Sequence, residues 1–273
     1  NNVKQLTGVV FMNKHITLSF LAWLAAIFVG AAGIYGLWPS PQSKVLLAIE
    51  IITLIILLFN SASITCWVYK HTKNKQQRYI ALLCIASLVL CICGDVVNFN
   101  LNNQYYRYNE VIKHDYLADS VWFFVPGYSL LFIAVLLASR SLVMYPLYYV
   151  AAYLGGTLLI SLLCFYFMHI PEAGYYVLLL TGLHSFVITS VGLMSLVLLN
   201  TYCGLNAPLG VWLVSLGLVL AAIADALIGL YWIYGNSGEG YFPQIRYINW
   251  IIYISSQCLV IHLAKINITY KLG

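Results

Sequence analysis

Charged side chains are scarce in this sequence. Aspartate, glutamate, lysine and arginine together make up 8% of the 273 residues, and the acidic side chains number only eight. A soluble globular domain carries roughly 25% charged residues, so this chain could not build a water-facing surface. The basic residues lie between apolar runs rather than along one face, which argues against a nucleic-acid-binding protein.

Recognisable motifs for catalysis and metal binding are also missing. No serine lies in a nucleophile elbow, no glycine-rich loop could cradle a phosphate, and no His/Cys/Asp cluster has metal-ligand spacing. The seven cysteines fall mostly within apolar runs, where a free thiol behaves as a small hydrophobe. His184 and His262 offer one weak pairing for haem. The sequence therefore predicts neither a metal nor a cofactor.

Apolar residues dominate instead. They make up 62% of the chain, and the mean hydropathy is +0.88. A membrane-spanning helix needs roughly 20 predominantly apolar residues. The sequence therefore predicts an all-α integral membrane protein with a tail at 1–15, a transmembrane domain at 16–266 and a second tail at 267–273. The eight predicted transmembrane helices cover residues 16–38, 45–69, 79–101, 117–139, 143–168, 174–199, 208–234 and 247–266.

Basic residues predict the orientation of these spans. The strongest basic cluster lies at 70–78, between spans two and three, and basic loops favour the cytoplasmic side. With that loop inside, nine of the 13 lysines and arginines are cytoplasmic. Both termini are then cytoplasmic, in the inner membrane of a bacterium or the endoplasmic reticulum of a eukaryote. Lys265 lies at the cytoplasmic end of the last span, where a long side chain is expected to reach outward to the interface.

Two segments of the chain resemble each other. Residues 88–95 and 218–225 both read Leu-Val-Leu, three apolar residues, a small residue and an aspartate. They lie in spans three and seven, four helices apart. Because four is an even number, the pattern predicts two parallel four-helix repeats.

Four of the acids lie within or at the edges of the spans: Glu50, Asp95, Asp119 and Asp225. A carboxylate near the bilayer centre costs about 2.5–3.5 kcal/mol and therefore usually faces a cavity or a partner. Asp95 and Asp225 lie roughly 24–26 Å along their helices, in the outer half of the membrane. Glu50 and Asp119 lie near the same level, where they could instead be interfacial residues at helix N-termini. The shared depth predicts one acidic pocket, into which Gln257 could hydrogen-bond.

Three motifs resemble the YhhN, or lysoplasmalogenase, family of eight-span membrane proteins. The first is residues 93–95 (Cys-Gly-Asp), the second is the glycine-bounded segment 217–229, and the third is residues 253–260 with Tyr253 and Gln257. The chain departs from the family in two places. Tyr128 follows Gly127 where the family has histidine, and Ala224 stands where the family has serine.

The resemblance implies hydrolysis of the vinyl-ether bond of a lysoplasmalogen, a lysolipid of the membrane. Asp95 and Asp225 would be the catalytic pair, because two carboxyl groups in a low-dielectric pocket favour different protonation states. The protonated one would donate to the vinyl carbon, and the ionised one would stabilise the cation, as in glycoside hydrolysis. Tyr128, Gln257, Glu50 and Asp119 are the candidate substrate-binding residues.

Two other function classes fit the same residues. A non-catalytic membrane sensor or complex subunit could use the acids to bind a ligand or a partner helix, and a homo-oligomer is compatible with either role. A transporter of small solutes or protons could use intramembrane carboxylates within paired repeats. Transporter repeats usually contain broken helices, and spans three and seven have no internal proline.

Overall fold

The computed structural model describes the backbone of residues 2–38, 43–99, 101, 114–140, 147–168, 174–229 and 243–270. In these ranges the structure is helical apart from short turns. A 3₁₀ turn at Gly204–Asn206 precedes the seventh helix, and a 3₁₀ segment at Ile261–Lys265 followed by the short helix α9 (Ile266–Thr269) ends the described chain. The long helices are α1 (Asn2–Ile34), α2 (Lys44–His71), α3 (Lys75–Asn98), α4 (His114–Arg140), α5 (Leu147–Met168), α6 (Gly174–Thr201), α7 (Leu209–Leu227) and α8 (Pro243–Val260).

Eight of the described helical stretches are long and apolar enough to cross a membrane. This confirms the predicted all-α membrane architecture. Several helix boundaries differ from the predicted ones by a few residues. Helix α1 begins at Asn2, so the expected tail at 1–15 is helical from its second residue, and no proline there ends the helix. Helix α7 ends at Leu227, and the predicted continuation of that span beyond residue 229 lies outside the described residues.

The exterior of the bundle is apolar, as a lipid-facing surface requires. Helix α5 shows this most clearly, with Leu158, Leu159 and Leu162 largely exposed. In lipid the hydrophobic effect does not hold helices together, so close packing at small residues and hydrogen bonds must do so. The contacts between α3 and α4 and between α7 and α8 follow this rule.

Helices α3 and α7 bury equivalent positions. From residue 87 to 92 and from 217 to 222 the degree of burial matches position by position. Leu88 and Leu218 are buried, and Val89 and Val219 face outward. The similarity between the two segments therefore extends from the sequence to the way each helix packs, and the parallel repeats stay a prediction.

The two helix pairs also meet through equivalent small residues. Gly127 of α4 lies against α3, where a Cβ on Gly127 would be 3.3 Å from the carbonyl oxygen of Ser87. In the second pair the glycine lies on the first helix, α7, and the serine on the second, α8. The hydroxyl of Ser256 donates to the carbonyl oxygen of Gly217 at 2.7 Å. The same close approach thus occurs in both halves of the bundle.

Replacing Gly217 with alanine should destabilise the bundle. Its Cβ would lie 2.8 Å from Cβ of Leu259 and 3.1 Å from the carbonyl oxygen of Ser256, so the α7–α8 contact must open. We expect a loss of about 1–3 kcal/mol, seen as a lower melting temperature of the purified protein in detergent. Gly155→Ala is the matched control, because a Cβ on Gly155 meets nothing within 4 Å. An equal response of the two variants would contradict this packing.

The predicted orientation can be tested with reporter fusions. Eight spans place both termini on one side, and the basic loop at 70–78 predicts that this side is the cytoplasm. A reporter that is active only outside the cytoplasm should be inactive when fused after Asn74 and active when fused after Leu101. The reverse pattern would invert the topology.

Candidate functional site

A hydrogen bond between His184 and Asp225 joins helices α6 and α7. The Nε2 atom of His184 lies 2.9 Å from Oδ2 of Asp225, and the two side chains are 17% and 9% exposed. Asp225 lies in the last turn of α7, where the negative end of the helix dipole disfavours a second negative charge. A hydrogen-bond donor from another helix offsets both the dipole and the membrane environment.

The contact with Asp225 occupies one of the two ring nitrogen atoms of His184. When Asp225 is a carboxylate, it can only accept, and Nε2 of His184 donates to its Oδ2. Nδ1 of His184 is buried and has no hydrogen-bond partner among the described residues. The second nitrogen is therefore left for a water molecule or a ligand.

Aromatic rings surround this pair. The hydroxyl of Tyr128 lies 3.5 Å from Oδ1 of Asp225, a weak contact at the limit of hydrogen bonding. The ring of Phe124 packs against the rings of Tyr128, His184 and Tyr253, with centroids 6.1, 6.4 and 6.4 Å apart. Phe124 thus holds His184 in place while Oδ1 of Asp225 keeps most of its capacity to bond.

Asp95 has a different partner. Its Oδ2 accepts a hydrogen bond of 2.8 Å from the hydroxyl of Tyr253, and both side chains are buried. Asp95 lies near the C-terminal end of α3, as Asp225 does on α7. The two carboxyl groups are close enough for their charges to interact. Each aspartate therefore receives a tyrosine hydroxyl from the opposite half of the chain.

A cavity of about 450 Å³ opens beside the Asp225–His184 pair, between helices α4, α5, α6 and α7. Its wall is mainly apolar, and its polar lining residues include Asn98, His184 and Asp225. The Oδ1 atom of Asn98 is buried without a partner among the described residues. The volume lies within the range of about 300–1,000 Å³ that is typical of small-molecule sites.

The expected single pocket of four acids is not what the structure shows. Glu50 is 1% exposed and forms an ion pair of 3.0 Å with Arg246 of α8. Asp119 accepts a hydrogen bond of 2.8 Å from the hydroxyl of Tyr176. Asp225 is the member of the set that lines the cavity. The sequence places the four acids at one depth in the membrane. In the structure each acid is bound by a donor that the sequence pattern does not identify.

Two other candidates also differ from expectation. Gln257 is buried on α8, but within the described part of the chain no hydrogen bond joins it to Asp95 or Asp225. The sequence offers His184 only as a weak haem candidate, whereas the structure makes it the partner of Asp225. The sequence signal for this role is a titratable residue in the middle of an apolar helix, since such a group inside a membrane needs a partner. No group of three His, Cys, Asp or Glu side chains in the described ranges is placed to hold a metal ion.

Removing Arg246 should strongly destabilise the fold. Arg246→Met leaves the buried carboxylate of Glu50 without its cation, which costs about 3–5 kcal/mol. The double variant Glu50→Gln/Arg246→Met should recover most of that loss, because neither remaining group is charged. Melting temperatures in detergent measure both effects, with Lys70→Met as the control at an exposed lysine. A double variant no more stable than Arg246→Met would show that the ion pair is not the cause.

Comparison with known proteins does not assign the chain to a family. No family model, no curated protein and no solved structure matches it. The resemblance to the lysoplasmalogenase family therefore stays a prediction based on the three motifs.

Proposed function

We propose that this chain is a membrane hydrolase that cleaves the vinyl-ether bond of a single-chain lysolipid. The observation that carries the proposal is the 2.9 Å contact between Asp225 and His184 at the wall of a lipid-sized cavity. Such a pair can hold and release a proton inside a membrane. The three sequence motifs shared with the lysoplasmalogenase family support the same reaction.

The cavity suits one acyl chain. Ile160, Leu193, Leu196 and Val219 provide an apolar wall for the chain. Nδ1 of His184 and Oδ1 of Asn98 have no partner among the described residues, and they can accept hydrogen bonds from water or from a hydroxyl group of the substrate. A vinyl-ether bond close to the head group would therefore lie beside Asp225 when the chain occupies the apolar part.

The proton that the reaction uses can reside on either member of the pair. The pair is then aspartic acid with imidazole or aspartate with imidazolium, and its net charge is zero in both forms. A neutral pair avoids the cost of an isolated charge in a low-dielectric site. After the proton has left, the pair carries one negative charge, which stabilises a cation that forms next to it.

The reaction then needs no group beyond this pair and water. Oδ1 of Asp225 donates a proton to the vinyl carbon that does not carry the oxygen, and the π electrons form the new C–H bond. The ether oxygen shares the resulting positive charge as an oxocarbenium ion. Water adds to the cationic carbon and returns a proton to Asp225. The hemiacetal so formed transfers its hydroxyl proton to the glyceryl oxygen and splits into a fatty aldehyde and an alcohol.

Asp95 acts at a distance in this proposal. It does not line the cavity, and it binds the hydroxyl of Tyr253, whose ring packs against Phe124. Phe124 in turn contacts His184. Asp95 is therefore a positioning residue for the pair, and Asp225 with His184 forms the catalytic site.

Aldehyde release from lysoplasmalogen in mixed micelles tests the proposal. The purified wild-type protein should release fatty aldehyde, and Asp225→Asn and His184→Gln should each lower the rate by about 10²–10⁴-fold, because the proton donor is lost. Asp95→Asn should have a smaller effect, since the amide oxygen of asparagine can still accept from Tyr253. His71→Gln, an exposed histidine at the end of α2, is the matched control.

A wild-type protein that releases no aldehyde would contradict the proposed activity. Equal losses in Asp95→Asn and Asp225→Asn would contradict the division of roles and favour a pair of catalytic aspartates. Melting temperatures of all variants separate loss of chemistry from loss of fold.

One observation favours a second function. Tyr128 stands where the lysoplasmalogenase family has histidine. A pocket without that histidine suits a sensor that binds an amphiphile without hydrolysing it. Saturable binding of lysoplasmalogen without aldehyde release would assign the chain to this class.

A further inference from the structure

A second cavity lies between helices α1, α7 and the end of the last span. Its volume is about 660 Å³, and its lining includes Ser19, Trp23, Leu213, His262 and Lys265. It shares no lining residue with the cavity beside Asp225. The proposed hydrolysis does not use this second cavity.

The local backbone turns two basic side chains toward this cavity. After Val260 the last span changes from an α-helix to the 3₁₀ segment Ile261–Lys265. A 3₁₀ helix has three residues per turn, so residues i and i+3 lie on the same side. His262 and Lys265 are three residues apart and both line the cavity.

Lys265 is the residue that needs an explanation. Its position at the end of the last span predicted a side chain extended to the interface, but it is 8% exposed. Within the described residues it has neither a hydrogen-bond nor an ion-pair partner. A buried ammonium group is costly unless an anion or several acceptors compensate it.

The acids with described side chains cannot compensate Lys265, because each has another donor. Glu50 binds Arg246, Asp119 binds Tyr176, Asp95 binds Tyr253 and Asp225 binds His184. Within the described side chains no acid is thus available to Lys265, and an anionic ligand would supply the compensation.

Among the described residues, the titratable groups near Lys265 are histidines. Lys265 and His15 both lie within electrostatic reach of His262. Next to these groups, Ser19, Asn60 and His262 form a hydrogen-bonded cluster, which we call the polar floor of the cavity. Nε2 of His262 lies 3.0 Å from Oγ of Ser19, and the amide of Asn60 donates to the same hydroxyl at 3.0 Å. These contacts hold the floor in place and leave the ammonium group of Lys265 for a ligand.

Helix α7 adds to the attraction for an anion. Leu209 and Gly210, its first two residues, line the cavity, and its N-cap residue Pro208 makes no side-chain hydrogen bond to the helix. The positive end of the helix dipole therefore faces the same space as Lys265.

The rest of the wall is apolar and continuous with the lipid-facing surface. Phe20 and Leu216 both line the cavity and are about half exposed. A small hydrophilic anion would leave this surface uncovered. We propose that the second cavity binds a single-chain anionic lipid, with its phosphate or carboxylate head group on Lys265 and its acyl chain along Phe20, Leu213 and Leu216.

Binding to the purified protein in a non-ionic detergent tests the proposal. The probe is oleoyl lysophosphatidate, counted per protein by native mass spectrometry and titrated to saturation. Monooleoylglycerol has the same chain without the phosphate, and glycerol 3-phosphate has the phosphate without the chain. We expect lysophosphatidate to bind about tenfold more tightly than either of them, because a charge-assisted contact and an acyl chain are both needed.

Variants at Lys265 locate the site. Lys265→Met should weaken lysophosphatidate binding about tenfold, and Lys265→Arg should keep it, since arginine preserves the charge. Lys70→Met, at an exposed lysine, is the control. Equal binding of monooleoylglycerol and lysophosphatidate to the wild-type protein would overturn the anion assignment. Equal competition by glycerol 3-phosphate would overturn the lipid assignment. Both comparisons use the wild-type protein and hold even where Lys265→Met fails to fold.

Discussion

The structure depends on one constraint, which is that an acidic side chain inside a membrane needs a donor from another helix. Glu50, Asp95, Asp119 and Asp225 all meet it, with donors that lie 196, 158, 57 and 41 residues away in sequence. Helix packing in lipid gains little from the hydrophobic effect, so these contacts carry much of the specificity of assembly. The acids thus link helices that small-residue packing alone would not order.

The donors come from two helices. Helix α8 supplies Arg246 and Tyr253, and helix α6 supplies Tyr176 and His184. Because α8 binds acids of α2 and α3, and α6 binds acids of α4 and α7, the contacts run both within and between the halves of the chain. The three described acids of the first half all depend on donors from the second half, so these contacts hold the two halves together as one bundle.

The sequence predicts the structural features that depend on composition along one helix. The number of spans, the recurrence of aspartate in α3 and α7 and its place near the helix end all follow from local patterns. The partners of the acids could not be predicted, because they depend on how each helix is rotated about its axis. The sequence predicts Glu50 as a pocket residue, whereas in the structure it forms an ion pair with Arg246. Lys265 looked like an interfacial anchor, but a 3₁₀ segment that no sequence pattern signalled turns it inward.

Helix α7 connects the two cavities and gives them opposite electrostatic character. Leu209 and Gly210 at its start line the cavity of Lys265, and Asp225 in its last turn lines the cavity of His184. The helix dipole is positive at the first end and negative at the second. In the two proposals, the start of α7 stabilises an anionic head group, and its end stabilises a developing oxocarbenium ion. The two proposed sites should therefore prefer different lipids.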